Sequence, residues 1–275
     1  MYAISVSGES YIFCFLSEVF PVAIKGWQKI GIGLMAMAIS PMVYLGLRQP
    51  QWLFALVSQL RPGALYFVET ETPVIALTID DGPHGETTEQ ILHLLERHGV
   101  KATFFMLGDR LSDHGATLQH LVASGHELGN HMTKDEASIR LTSEEFETDL
   151  MTAGRQLSAY GSVGWFRPGM GWYNSRMVDV ANRQGYRVVL GSLFPYDTHI
   201  PSVWFSEWFI LNNLDPGDIW VLHDGEKGRG QRTVQLLEQV LPKIQQRGYR
   251  VVTLTELIAH GQPTASHRRQ RCISK

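Results

Sequence analysis

The stretch that decides the fold is VIALTIDDGP, residues 74–83. Its apolar and β-branched residues from 74 to 80 predict a short buried strand. Two adjacent aspartates, Asp80 and Asp81, end this strand, and a Gly-Pro turn follows at once. Like charges side by side in a cleft are costly unless a cation binds them. The stretch therefore predicts both a buried strand and a charged site at its end.

From about residue 72 onward, apolar runs alternate with segments of helical spacing. Further strands are predicted in KATFFMLG (101–108), HELGNHM (126–132, as a strand or turn), GWFRPG (164–169), YRVVLGS (186–192), DIWVLHDG (218–225) and YRVVTL (249–254). Helices are predicted at 87–99, 116–125 and 142–161, and near 174–185, 203–213 and 231–248. About seven alternations predict an α/β fold with parallel strands and outer helices, either a wound sheet or a barrel.

Polar residues recur where the predicted strands end, which is where parallel α/β folds carry their chemistry. They are Asp80, Asp81, His131, Asp135, Arg167, Asp197 and His223. Each alone also fits a structural role, such as a turn or a surface ion pair. For Asp135 that role is a helix start, since Thr133 and Glu136 resemble a capping box. Taken together they predict one site, in which a carboxylate and an imidazole suit a hydrolytic metal ion.

These residues resemble the motifs of the polysaccharide deacetylases, carbohydrate esterase family 4 with its NodB-homology domain. TIDDGP is similar to the family's T-F-D-D-G-P, FRPGMG (166–171) to its Arg-Pro motif, and VLHDG (221–225) to its final L-H-D. The resemblance covers roughly residues 72–262. It implies a distorted (β/α)7 barrel that uses a divalent metal to remove N-acetyl, or O-acetyl, groups from a polysaccharide or oligosaccharide.

The resemblance also implies catalytic roles. Asp80 is the expected general base, and Arg167 is expected to brace it. His223 is the expected general acid, and Asp197 falls where the family has an aspartate that orients it. The backbone N–H of Met170 falls where the family stabilises the oxyanion, although the family usually has an aromatic residue there.

The implied metal ligands are Asp81, His131 and Asp135, for Zn, Co or Mn. Here the sequence departs from the family, whose second motif reads His-Ser/Thr-x-x-His where this chain has HMTKD (131–135). A second carboxylate ligand favours a harder metal ion. Its negative charge also reduces the polarisation of the water bound to the metal. The fourth motif also departs, because FPYDTH (194–199) lacks Asp-Trp. We therefore expect an altered grip on the substrate.

Two other functions stay open: a sugar-binding pseudoenzyme that has lost its metal, and a metal amidohydrolase acting on a small amide. Retention of Asp80, Arg167 and His223 favours an enzyme, because a binding protein needs no base and acid. The expected partner is an acetylated sugar polymer or oligomer, and a monomer is expected. A net charge of −3 and a pI of about 6.4 leave no basic surplus for nucleic acid.

Residues 1–70 are predicted to be an apolar N-terminal segment, 72–262 the catalytic domain and 263–275 a basic tail. Residues 30–47 carry no charge, and about 18 apolar residues are the lower limit for a membrane span. A membrane-anchored or extracytoplasmic protein is one prediction; the alternatives are a helix that caps the main domain, a start codon placed too early, and a cytoplasmic protein. QWLFALVSQL (51–60) predicts a further apolar helix.

Trp204, Trp208 and Phe209 lie at helical spacing and are expected in the core, unless they stack on sugar rings.

Overall fold

A computed structural model describes residues 42–263 of the chain. The chain divides between Gly46 and Leu47, and the strands and helices from residue 51 onward belong to the second unit. Residues 42–48 are helical. Most of the predicted membrane segment, residues 30–47, lies outside the described residues, as does the tail from 264. Within 42–263, every helix is too short or too polar to cross a bilayer.

The main sheet has eight strands that all run parallel, in the order β1-β7-β6-β5-β4-β3-β8 with β9 beside β3. Its strands are β1 (Ala64–Leu65), β3 (Val74–Gly82), β4 (Thr103–Met106), β5 (Glu127–Asn130), β6 (Val163–Phe166), β7 (Arg187–Val189), β8 (Ile219–His223) and β9 (Arg250–Val252). Two short strands, β2 (Val68–Glu69) and β10 (Gln262–Pro263), form a separate antiparallel pair. The helices are α1 (Gln51–Leu60), α2 (Gly85–Arg97), α3 (Gly115–Ala123), α4 (Ser143–Ser158), α5 (Ser175–Arg183), α6 (Val203–Asn213), α7 (Arg229–Gln246) and α8 (Leu254–Ala259).

The sheet curls so that its two ends approach each other. Beyond β7 the chain runs beside β8, where Leu193 and Trp220 form a parallel bridge. The N–H of Val221 donates to the Leu193 carbonyl at 2.9 Å. The result is a curled half-barrel of parallel strands surrounded by helices, which confirms the predicted α/β class and its parallel sheet.

Strand β3 lies near the middle of the sheet and sorts its side chains onto two faces. Ile75 and Ile79 pack outward into the core shared with α2 and α7. Ala76 packs inward in a second core cluster. Because alternate residues of a strand share a face, Thr78 and Asp80 follow Ala76 inward. The carboxylate of Asp80 is thereby delivered to the inside of the curled sheet at its carboxyl end.

Residues 51–70, which the sequence placed in the N-terminal segment, contribute α1, β1 and β2 to the second unit. The predicted helix at 51–60 is confirmed as α1. Phe54 stacks on Tyr66 with 5.9 Å between ring centroids, and the Gln51 amide donates to the buried Asp218 carboxylate at 2.9 Å. These contacts tie α1 to the sheet.

Of the two capping patterns in the sequence, one starts a helix. Thr142 and Glu145 form the predicted capping box at the start of α4. The alternative in which Thr133 and Glu136 cap a helix is wrong, because residues 133–136 form bends. The Thr133 hydroxyl instead bonds to the Asp149 carboxylate on α4. The chain after His131 is therefore a bent loop held to α4.

The core prediction for the aromatic residues of α6 is right for Phe209 and wrong for the two tryptophans. Phe209 is fully buried, whereas Trp204 is 73% exposed and Trp208 is 42% exposed. Trp204 and Trp208 are four residues apart and so share a helix face. Because the apolar residues of α6 are spread around the helix, its sequence does not show which face turns inward.

Candidate active site

Asp80 is buried at the end of β3 and is paired with Arg167, which follows β6. Arg167 Nη1 lies 2.5 Å from Asp80 Oδ1 and 2.8 Å from the Thr78 hydroxyl. The guanidinium also sits over the ring of Phe105, 4.2 Å from its centroid. Burial lowers the pKa of Arg167, and the Asp80 charge opposes that lowering. These contacts fix the orientation of the Asp80 carboxylate.

Asp81 turns toward the same end of the sheet and faces His131. Its backbone is left-handed, with φ 67°, and the register with β4 shifts between Asp80 and Gly82. His131 Nε2 lies 3.4 Å from Asp81 Oδ1. His131 Nδ1 lies 2.7 Å from the Arg167 carbonyl oxygen, which accepts only, so Nδ1 carries a proton. Nε2 is therefore the ring nitrogen that faces the Asp81 carboxylate.

Asp81 and His131 each stabilise the charged form of the other. Burial raises the pKa of Asp81, but its interaction with His131, together with the charges of His223 and Arg229, lowers it overall to about 2. Burial lowers the pKa of His131, and the charges of Asp80 and Asp81 raise it by more. The site thus favours positive charge between Asp81 and His131.

His223 ends β8 and is held by Asp197. Its Nδ1 lies 3.0 Å from both Asp197 carboxylate oxygens, and its backbone N–H donates to Oδ2 at 3.1 Å. Burial lowers the pKa of His223, but the Asp197 charge and hydrogen bond, aided by Asp80 and Asp81, raise it to about 9. His223 and Asp80 are paired in register on adjacent strands. A protonated imidazole is therefore placed beside the Asp80 carboxylate.

Met170 lies in the short 3₁₀ turn Gly169–Gly171 that follows Arg167. Its backbone is left-handed, with φ 58°, and its side chain is 70% exposed. The N–H of Gly169 donates to the Ser138 hydroxyl at 3.1 Å, and a Cβ added to Gly169 would overlap the Glu136 carbonyl oxygen. The turn that carries the Met170 N–H is therefore packed against the loop that follows His131.

Asp135 is exposed on the bent loop after His131 and is not gathered with Asp81 and His131. Within residues 42–263, the group of three side chains whose ligand atoms lie within 4.8 Å of one another is His93, Glu96 and His120, on α2 and α3. The assignment of Asp135 as a third ligand therefore stays a prediction.

Residues 67–189 match the family described as polysaccharide deacetylase. The chain is also 34% identical over 201 residues to a peptidoglycan-N-acetylglucosamine deacetylase of Bacillus cereus, covering 70% of this chain and 94% of that protein. The chain belongs to the polysaccharide deacetylase family. A chitooligosaccharide deacetylase of Azorhizobium caulinodans is 31% identical over 189 residues, covering 64% of this chain and 90% of that protein. Deacetylases of this kind are hydrolases that act on carbon–nitrogen bonds.

Solved structures of family members share the fold. A peptidoglycan N-acetylglucosamine deacetylase bound to a hydroxamate-type benzamide superposes with a TM-score of 0.69, at 25% identity over 76% of this chain and 98% of that one. A family 4 pseudoenzyme from Bacillus anthracis gives 0.67, at 25% identity over 73% and 70%. A family 4 acetyl xylan esterase from Clostridium thermocellum, solved with a cobalt ion, gives 0.62, at 27% identity over 68% and 90%. The family thus includes metal-bound enzymes and proteins without activity.

The buried donors of this deacetylase-family chain fit a divalent cation. Asp81 Oδ1 is buried and accepts no hydrogen bond from the residues that the structure describes. His131 Nε2 points at it, with the other ring nitrogen engaged by the Arg167 carbonyl, as is usual for a metal-ligating histidine. A cation between these two atoms would satisfy both. Asp81 and His131 could therefore supply two ligands to such a cation.

The sequence interpretation missed Asp224, although it lies inside the family's L-H-D motif. Its carboxylate accepts hydrogen bonds from the Thr87 and Thr88 hydroxyls at 2.5 Å each, and its own N–H donates to the Asp80 carbonyl at 2.9 Å. Asp224 thereby fixes the start of α2 to the ends of β3 and β8. Its place next to His223 in the motif was the available signal.

Two arginines that contact Asp81 were also missed. Arg229 Nη1 lies 2.5 Å from Asp81 Oδ2, and Arg110 Nη1 lies 2.5 Å from the Asp81 carbonyl oxygen. Arg229 begins α7 shortly after His223, between two glycines. Neither arginine belongs to the family motifs at 78–83, 166–171 or 221–225, so the sequence offered only their charge and their closeness to strand ends.

Proposed function

We propose that this chain is a metal-dependent deacetylase that removes N-acetyl groups, with O-acetyl groups as the alternative, from a sugar polymer or oligomer, on the distorted (β/α)7 barrel of its family. One observation carries the proposal: Asp80 and His223 are paired on adjacent strands, each with its own buried charged partner. This arrangement sets a base beside an acid, as hydrolysis of an amide requires. Two relatives are named as deacetylases of peptidoglycan and of chitooligosaccharides. These polymers define the substrate class to test.

Asp81 and His131 would hold the metal, and Asp135 is the proposed third ligand. Such an ion, of Zn, Co or Mn, would polarise the acetyl carbonyl and activate a water molecule when bound. Asp135 lies on the bent loop 133–136, so ligation requires this loop to move inward.

Asp80 acts first in the proposed reaction. Its carboxylate takes a proton from a water molecule as the water oxygen attacks the acetyl carbonyl carbon. Arg167 keeps the carboxylate aimed, because its guanidinium is itself fixed by Thr78 and Phe105. The Met170 N–H donates a hydrogen bond to the carbonyl oxygen as negative charge develops there.

His223 acts second. Its proton passes to the sugar nitrogen as the bond between that nitrogen and the acetyl carbon breaks, which gives acetate and a free amine. Asp197 favours the protonated imidazole and fixes its orientation through two contacts of 3.0 Å. For an ester substrate, the group that leaves is an alcohol.

A sugar-binding pseudoenzyme is the second candidate function. It is favoured by the position of Asp135, which is exposed and away from the other two donors. The B. anthracis pseudoenzyme shows that this fold can lose activity. A metal hydrolase acting on a small amide is the third candidate.

One experiment separates the three. Purified protein is incubated with N-acetylglucosamine oligomers and Co, Zn or Mn; acetate release and bound metal are measured, with Asp80→Asn as the inactive control. Acetate that depends on metal and on Asp80 supports the deacetylase. Bound metal without acetate supports the small-amide hydrolase. Absence of both supports the pseudoenzyme.

We also propose that residues 30–47 anchor the chain in a membrane, with the catalytic unit outside the cytoplasm. The support is the length of the uncharged segment. Cell fractionation of the full chain and of a variant lacking residues 1–47 tests it. Full-length chain in the soluble fraction would favour a cytoplasmic protein instead.

A further inference from the structure

The Asp81 carboxylate is shared between two cationic partners. Oδ1 faces His131, and Oδ2 accepts a hydrogen bond of 2.5 Å from Arg229 Nη1. The Asp81 side chain is 4% exposed, whereas the Arg229 side chain is 25% exposed. A charge-assisted hydrogen bond of this length on a buried carboxylate is among the stronger polar contacts in proteins. A metal bound at Asp81 must therefore share this carboxylate with a full positive charge.

The backbone of Arg229 is fixed, while its side chain can reach solvent. Arg229 is the first residue of α7, and its N–H donates to the Glu226 carbonyl at 3.0 Å. Left-handed residues just before it, Lys227 at φ 56° and Gly228 at φ 71°, turn the chain back over the site. The long side chain also borders a small cleft beside Asp197. Because a quarter of the Arg229 side chain is already exposed, its guanidinium can move from Asp81 toward solvent.

We propose that Arg229 is a resident cation that competes with the metal for Asp81 and so weakens metal binding at this site. The inference rests on the proposed function only in placing the metal on Asp81 and His131. A divalent ion and a guanidinium on one carboxylate repel each other, and burial strengthens that repulsion. Metal binding therefore requires Arg229 to give up part of its contact with Asp81, and removing its charge tightens metal binding.

The test is the affinity for Zn and Co, measured by competition with a chromophoric chelator. Arg229→Gln keeps a hydrogen-bond donor and removes the charge. Arg232→Gln is the matched control, because Arg232 lies on the same helix and its guanidinium bonds to the Lys227 carbonyl. All proteins carry His93→Ala, which disrupts the outer His93, Glu96 and His120 cluster as a second metal site. We expect Arg229→Gln to bind metal about tenfold more tightly than the parent, the effect of one lost charge partner, and Arg232→Gln to match the parent.

Adding His131→Ala to Arg229→Gln locates the effect. We expect this double variant to lose the tightened binding; if it retains it, the gain arises elsewhere and the inference is wrong. An affinity of Arg229→Gln equal to the parent overturns the inference, as does no measurable binding by either protein. Weaker binding also overturns it, because Arg229 would then be orienting Asp81 for the metal.

Failure of this inference is distinct from failure of the proposed deacetylation. Acetate release by the parent with unchanged affinity in Arg229→Gln overturns only the competition. Tighter binding by Arg229→Gln without acetate from any variant overturns only the deacetylation.

Discussion

Arg167 and Asp80 form an ion pair that is almost completely removed from water. Their nearest atoms are 2.5 Å apart, and each side chain is 4% exposed. Removing one member of a buried pair leaves the other charge uncompensated, which costs far more than the loss of a surface pair. The proposed base is therefore also a structural element of the interior of the curled sheet.

Replacing Arg167 by leucine leaves the Asp80 carboxylate buried without a partner charge. We expect Arg167→Leu to lower the free energy of unfolding by about 3–5 kcal/mol and to abolish acetate release. Urea denaturation measures the first effect. Arg183→Leu is the control, because its contact with Glu147 is 3.9 Å long and exposed, and surface pairs contribute about 0–1 kcal/mol. Equal losses in the two variants would contradict the interpretation.

The pairing of His223 with Asp197 predicts a measurable titration in the metal-free protein. NMR should show His223 with a pKa of about 9, and Asp197→Asn should lower it toward the ordinary value of about 6.5. His126 is an internal control, since burial, with the charges of Lys101 and His120, lowers its pKa to about 4, and the substitution should leave it unchanged. A wild-type His223 that titrates near its ordinary pKa would disprove the pairing.

The same pKa sets the sign of a stability effect. Because the folded protein binds the His223 proton more tightly than the unfolded chain, the resulting stabilisation is complete below a pH of about 6.5. It is lost as the pH rises through about 9. As the pH rises between these values, the thermal unfolding temperature should therefore fall. We expect this fall to be smaller in Asp197→Asn than in the wild type.

The close contact of Gly169 with Glu136 predicts sensitivity to a single methyl group. In Gly169→Ala, the new Cβ overlaps the Glu136 carbonyl oxygen, so the turn bearing Met170 or the loop bearing Asp135 must shift. We expect a loss of stability of about 1–3 kcal/mol and a lower kcat. Gly164→Ala is the control, because its Cβ meets nothing within 4 Å. The interpretation fails if both variants behave alike in thermal unfolding and in acetate release.

Asp135 and His131 should differ in their effect on metal affinity. His131 is buried and points at Asp81, whereas Asp135 is exposed. We expect His131→Ala to abolish metal binding and Asp135→Ala to weaken it by less, because the loop must move before Asp135 can ligate. Chelator competition on both variants measures this order. Complete loss in both would show that Asp135 is a full ligand.

The sequence by itself determined the features that depend on local patterns. The buried run 74–80 predicted β3, and the Thr142–Glu145 pattern predicted the cap of α4, because strand burial and capping involve residues close in the chain. The parallel sheet and the convergence of Asp80 and His223 followed from the alternation of strands and helices. Parallel strands bring their carboxyl ends to one edge wherever the exact boundaries fall.

Only the tertiary structure decided which distant side chains meet. The contact between Asp81 and Arg229 joins residues 148 positions apart, and it depends on how α7 packs beside β3. The exposure of Trp204 and the position of Asp135 likewise depend on helix orientation and loop path. Periodicity states which residues share a face and leaves open what that face contacts. Packing of the whole chain supplies that information, because it minimises buried unpaired charge and exposed apolar surface across all elements together.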